Sequence, residues 1–320
     1  MRTVQTEWRR MRRASRPLTA AGLGLVIVFV LMLAGLAADP RTIGGAPAWL
    51  KPAKFAISTA IYAITFAWIF TYLPDWPRLT RIVGGITAVV MVLEVALIAA
   101  QAARGTTSHF NIGTPLDAIV FSVMGAAIVA AWVASIALAV ALLRQPFADR
   151  SLGWALRLGL LITVIGSATG GLMTRPTDAQ IDAARATHRM PAAGAHTVGA
   201  ADGGPGLPLT GWSREHGDLR VPHFLGLHAV QFLPLIALLL RRMPSAAARR
   251  RAVMVAAGSY ALLFGILLGQ ALSGQSVLAP DERTLAAMAA WLAATLAGVA
   301  WARRSSAGAA DAPTMKVALS

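Results

Sequence analysis

IVGGITAVVMVLEVALIAAQAARG, residues Ile82–Gly105, is an apolar run of about twenty residues interrupted by one carboxylate, Glu94. At 1.5 Å per residue, about twenty helical residues cross the roughly 30 Å hydrocarbon core of a bilayer, so the stretch reads as a membrane-spanning helix. Seven more runs of similar length lie near 18–38, 54–73, 117–143, 152–172, 222–240, 252–272 and 284–302, which makes eight spans. The predicted fold class is all-α, a polytopic integral membrane helix bundle of about eight transmembrane helices whose main partner is the lipid bilayer.

Composition agrees. The chain has 320 residues, 56% of them hydrophobic and only 13% charged, too apolar for an ordinary soluble domain. The net charge of +15 does not point to nucleic acid, because the basic residues track the connections between spans. Eighteen of the 29 Lys and Arg fall on the side that holds both termini, against ten on the other side, although the loops of that other side are longer. The positive-inside rule then places the protein in a bacterial cytoplasmic (inner) membrane with both termini cytoplasmic. The basic start followed by an apolar stretch resembles a secretory signal, but ADPRTIGG lacks a small-x-small cleavage pattern, so a retained anchor beginning at or near Met1 is expected.

The two halves show a weak internal match. RPLTAAGLGL from Arg16 aligns with RSLGWALRLGL from Arg150, Lys54-Phe55 with His223-Phe224, Pro74 with Pro244, and QAARG from Gln101 with QALSG from Gln270. Trp132 to Arg144 also repeats the spacing of Trp291 to Arg303. This suggests two parallel four-helix repeats. The expected organisation is a basic N-terminus over 1–17, a first half over 18–148, a second half over 149–304 carrying an external loop at 174–220, and a flexible tail over 305–320. The loop begins with a candidate short helix and continues as Gly- and Pro-rich irregular turns. Its length, with Trp212 and several Leu, marks it as a lid or binding loop.

Chemistry concentrates on one side. All six histidines, His109, His188, His196, His216, His223 and His228, fall in external loops or in the outer part of one span. His188, His196 and His216 read most simply as solvated loop imidazoles. In GDLRVPHFLGLHAVQFLPL, Gly217–Leu235, His223 and His228 lie five residues apart, which turns their rings about 140° from one another along a helix and separates them by about 7.5 Å. One straight helix cannot bring both onto one ion. His223 therefore groups with His109 at the outer mouth, whereas His228 and Gln231 share a deeper face. By helical rise, Gln231, Glu94 and Tyr62 all lie about 12–13 Å below the outer surface. Glu94 is the only acid near the middle of a span. Such a group is a functional candidate, with a protonated structural hydrogen bond between helices as the plainer reading.

Candidate roles follow: Glu94, Tyr62 and Gln231 as catalytic or proton-handling groups; Gln101, Arg104, Asp218 and Arg220 as cofactor- or ligand-binding groups; His109, His223 and His228 as ligands of haem or a divalent metal. Asp117 is equally well a helix cap. No cysteine is present, which removes disulfides, thiolate metal sites and Cys nucleophiles. H-E-x-x-H, P-loop, G-x-S-x-G and dinucleotide fingerprints are also absent.

QAARGTTSHFN, HTVGAADGGPGLPLTGWSREHGDLRVPHFLGLHAVQ and KPAKFAIS resemble a group of multi-pass bacterial membrane proteins with no assigned activity. The resemblance spans the second to sixth helices and implies membership without mechanism. Two functions stay open on the residues. One is a metal or haem protein, an oxidoreductase by class. The other is a small-solute transporter coupled to protons through Glu94. A structural or assembly subunit is the third reading.

Overall fold

A computed structural model of the chain describes residues 2–307. Met1 and the residues beyond 307, which include most of the tail expected to be flexible, lie outside the described residues. The chain opens with the basic helix α1 (Arg2–Ala14) and turns at Ser15 into α2 (Arg16–Ala38). α3 (Leu50–Phe70), α4 (Pro77–Ala103), α5 (Pro115–Arg144) and α6 (Arg150–Ala168) follow. After a break at Thr169 come the one-turn α7 (Gly170–Met173) and then α8 (Asp178–Thr187) in the long loop. α9 (Arg220–Leu239), α10 (Ala246–Leu272) and α11 (Glu282–Ala307) complete the bundle.

Eight helices, α2 to α6 and α9 to α11, are long and apolar enough to cross a membrane. The chain is a multi-pass membrane protein. Large apolar side chains such as Leu31, Val89, Ile119 and Leu296 are exposed on the outside of the bundle, where lipid rather than water is the solvent.

Helix starts follow local chemistry. Ser15, Thr114, Asp149 and Ser245 each accept a backbone N–H two or three residues on, and proline occupies the first turn of α2, α4 and α5. Within the membrane, association depends on close packing rather than on hydrophobicity, so small residues mark the tight seams. α2 on α3 and α6 on α9 are the most extensive interfaces. Gly22 lies against the Ala60 carbonyl in the first, and Gly159 against the Ala229 carbonyl in the second.

The same pairings occur in both halves. α3 packs on α4 as α9 packs on α10, α2 on α4 as α6 on α10, and α4 on α5 as α10 on α11; α5 against α6 joins the two sets. The chain segments that align in sequence also close their helices alike. In QAARG, Gly105 has φ 75°, and buried Gln101 donates from Nε2 to the carbonyl of Thr107 at 3.4 Å. In QALSG, Gly274 has φ 74°, and buried Gln270 donates to the carbonyl of Ser276 at 2.8 Å. Both glycines take a left-handed conformation that an L side chain adopts only with strain.

The long loop is ordered, braced within itself and fastened to two neighbouring connections. A capping box of Thr177 and Gln180 starts α8, and Gln180 also bonds both backbone groups of Gly194. Backbone bonds tie Ile112 to Pro191 and Ala193 to Phe110, which fastens the loop to the α4–α5 connection. Gly217 N donates to Gly274 O at 2.8 Å, which fastens it to the α10–α11 connection. The Gly-rich second part, expected to be irregular turns, contains an antiparallel pair, β3 (Thr197–Val198) with β4 (Gly217–Asp218). Those pairing partners lie about twenty residues apart, beyond what local turn signals reveal. A smaller hairpin, Thr42–Ile43 with Ala46–Pro47, sits at the same end of the bundle.

Candidate functional site

Several polar residues at the lid end hold one another. Asp117, almost fully buried, accepts from Gln101 Nε2 at 2.9 Å, Arg104 Nη1 at 2.8 Å and Thr114 Oγ1 at 2.6 Å, while Arg104 Nη1 also donates to the side-chain Oε1 of Gln101. This knot closes α4 onto α5 and fixes the loop that carries His109. A second knot anchors the lid. Asp218, 3% exposed, accepts from Arg220 Nε at 2.9 Å, Arg220 Nη2 at 2.6 Å and Ser213 N at 2.8 Å. Arg220 also reaches the carbonyl of Gly211 at 2.6 Å. Gln101, Arg104, Asp218 and Arg220, read from sequence as ligand-binding groups, thus spend their hydrogen bonds within the protein.

Between the knots lies a different cluster. Lys51 at the start of α3, His109 of the α4–α5 loop, His196 of the lid and His223 of α9 are half-buried and closely surrounded by protein. His109 is held well below the ordinary imidazole range, by burial first and then by the charges of Lys51, His196 and His223. His196 is also lowered by burial, against an opposing hydrogen bond from its Nδ1 to Asp202 at 2.6 Å. Burial pushes Asp202 up, but that bond, the charge of His196 and the backbone N–H groups of His196 and Thr197 hold it below the usual carboxylate range.

Each of the three imidazoles is oriented through Nδ1. His223 bonds the Gly166 carbonyl at 3.0 Å and Thr169 Oγ1 at 3.2 Å, His196 bonds Asp202, and His109 bonds Ser108 Oγ at 3.0 Å. Their Nε2 atoms have no hydrogen-bond partner among the described residues. Deeper, Glu94 is 2% exposed, and its Oε1 is buried without a partner, as is Oε1 of Gln231. Lys51 is the charge within electrostatic reach of Glu94. Lys51, the three imidazoles and Glu94 therefore form a polar cluster that runs from the lid into the bundle.

The chain matches no family model, no curated protein and no solved structure. The residues alone must therefore carry the reading.

The structure brings His109 and His223 together, as their depth suggested, and adds His196, which its loop position had disguised as a solvated imidazole. It also adds Asp202, Lys51 and Lys54; Lys54 Nζ donates to the Thr210 carbonyl of the lid at 3.0 Å. The sequence signal for the lysines was KPAKF itself, two ammonium groups entering an apolar span. His228 stands apart, its ring 4.3 Å from that of Phe224. Tyr62 faces Ser135 Oγ at 3.4 Å and stacks 4.4 Å from Phe66. No three His, Asp or Glu among the described residues converge as a group able to hold a metal ion. The ligand set His109, His223 and His228 is therefore not assembled as a metal centre, because the Phe224 contact takes His228 away from the other two.

Acid should loosen the lid. Burial weakens proton binding by His196 in the folded protein, so an unfolded or detached lid binds a proton more readily as the pH falls through the ordinary value of 6.5. Asp202, depressed in the fold, acts in the same direction, since its contribution is present above the ordinary value of 3.8 and lost as the pH falls through its lower folded value. Hydrogen exchange across residues 196–202, corrected for its intrinsic pH dependence, is expected to speed up as the pH falls through 6.5. Unchanged protection across that value would show that the pair does not hold the lid.

Proposed function

We propose that the groups of this polar cluster line a chamber beneath the lid, where the protein captures a small polar ligand from outside the membrane and exchanges a proton with it through Glu94. The observation that carries this reading is the orphaned acceptor set. Glu94 Oε1 and Gln231 Oε1 are buried with no protein donor, and buried acceptors left unmade cost about 1–3 kcal/mol each. A ligand bearing hydroxyl or amine donors would complete them, while Lys51 would meet any anionic part. Titratable groups reaching inward from Lys51 and the imidazoles to a buried carboxylate make a plausible proton route of the kind found in membrane carriers. Binding comes first in this reading, with proton-coupled transport of that ligand as its extension.

One observation favours a second reading. Imidazoles fixed through Nδ1 with Nε2 free are oriented as haem-ligating histidines are, so a haem held by two of His109, His196 and His223, and with it an oxidoreductase, is the alternative. The basic-residue distribution supports an inner-membrane location with cytoplasmic termini, which puts the lid outside. The matched pairings and the two Gln-Ala-x-x-Gly closures support reading residues 18–148 and 149–304 as parallel repeats, and the quoted lid and loop segments support membership of the bacterial group they resemble.

One set of measurements separates the two functions. On the ligand reading, purified protein has no haem band and no stoichiometric metal. A panel of small amines, polyols and hydroxy acids then contains a compound that raises the thermal midpoint of the wild type but not of Glu94→Gln. A haem band or bound metal that disappears in His223→Ala would overturn this reading in favour of the metal centre.

A further inference from the structure

At the end of the bundle opposite the lid, α6 and α10 begin side by side, and two cavities of about 360 and 250 Å³ open between them. Both are lined by Arg150 and Arg250. The larger adds Phe147, Trp154 and Arg157, and the smaller adds Arg249 and Asp149.

The arginines divide into two kinds. Arg157 is built in: Nε donates to the Leu142 carbonyl at 2.9 Å, Nη2 donates to the Gln145 carbonyl at 2.7 Å, and the guanidinium lies 5.2 Å from the Phe147 ring and 5.4 Å from the Trp154 ring. Arg249 donates to the Met243 carbonyl at 2.5 Å. Arg150 and Arg250 are exposed and make no hydrogen bond or ion pair among the described residues. The one carboxylate of the cleft, Asp149, caps α6 through Ser151 N and Leu152 N and lies 3.7 Å from Arg241. The cleft therefore keeps an excess of positive charge, with two guanidinium groups free to bind and an aromatic wall beside them.

We propose that this cleft binds a phosphate-bearing anion, with Arg150 and Arg250 as its direct ligands. Guanidinium groups pair with phosphate oxygens through two parallel donors. The position fits a membrane source, because the first turn of a spanning helix with a tryptophan beside it lies at headgroup level. An anionic phospholipid and a soluble phosphate compound offer the same chemistry, and the experiment separates them.

Full-length protein in detergent is equilibrated with equal amounts of phosphatidylglycerol and phosphatidylcholine, and retained lipid is counted by native mass spectrometry. In parallel, its thermal midpoint in phosphatidylcholine nanodiscs is measured with and without inorganic phosphate. The variants are Arg150→Gln/Arg250→Gln and, as a control of equal charge change at the same end, Arg78→Gln/Arg81→Gln. If the site pair fails to fold in phosphatidylcholine, Arg250→Gln alone takes its place.

A preference for phosphatidylglycerol that falls about tenfold in the site variant and persists in the control supports a lipid ligand. Stabilisation by phosphate that the site variant loses, with no lipid preference, supports a soluble one. Neither effect, or an equal loss in both variants, overturns the proposal and leaves only diffuse surface charge.

Discussion

Glu94→Leu is expected to stabilise the protein by about 1–3 kcal/mol while removing its proton exchange. Glu94 is buried among Val90, Met91, Val95 and Ile98 of its own helix and has an oxygen that no donor meets. Leucine fits that surrounding and needs no donor. It is also the residue, Leu263, that aligning QAARG with QALSG sets opposite Glu94. Lys51 loses one partner in the variant but still has the field of Asp202 and a half-exposed side chain, so the gain survives. The measurement is the unfolding midpoint of wild type, Glu94→Leu and Glu94→Gln in one detergent, together with infrared difference spectra across a pH jump. The carboxyl band belonging to Glu94 should vanish in both variants. A leucine variant destabilised by a similar amount would mean that Glu94 is a structural bond between helices, and the proton-handling role would fall with it.

Gly166→Ala should have the opposite and larger effect, a loss of about 3 kcal/mol or more. A Cβ at Gly166 would stand 2.4 Å from Gly226 Cα and 2.8 Å from its carbonyl carbon, and both are backbone atoms that cannot turn aside. α6 and α9 would have to separate. Thr163 Oγ1, which donates to the carbonyls of Gly226 and Leu227 at 3.2 Å and accepts from Val230 N at 3.1 Å, would lose its partners. His223 would lose the Gly166 carbonyl that orients it, so the polar cluster is damaged with the seam. Gly258→Ala in α10, where the added carbon meets nothing within 4 Å, serves as the control and should be neutral or slightly stabilising. Equal unfolding midpoints for the two variants would show that the seam can open without cost.

The spans, their number and the bundle class were legible because crossing a bilayer is a property of one stretch at a time: about twenty apolar residues satisfy it wherever the rest of the chain lies. The caps at Ser15, Thr114 and Asp149 and the left-handed glycines after Gln101 and Gln270 also rest on local chemistry, although the sequence reading did not draw on it at Ser15, Asp149 or the glycines. Helical rise placed Glu94 and the outer histidines at their levels. It could not say which polar side chains are already satisfied. Gln101, Arg104, Asp218 and Arg220 read as ligand groups because their partners, Asp117, Gly211 and Ser213 among them, come from the start of the next helix and from lid turns, whose placement is not written in the spacing.

By itself, then, the sequence determined a multi-pass helical membrane protein with its imidazoles gathered at one end. Only the tertiary structure decided that His196 joins His109, His223 and Lys51. The physical reason is range. Hydropathy sums along the chain, but the polar cluster is assembled by bonds such as His223 to Gly166 and Lys54 to Thr210, which join residues 57 and 156 positions apart.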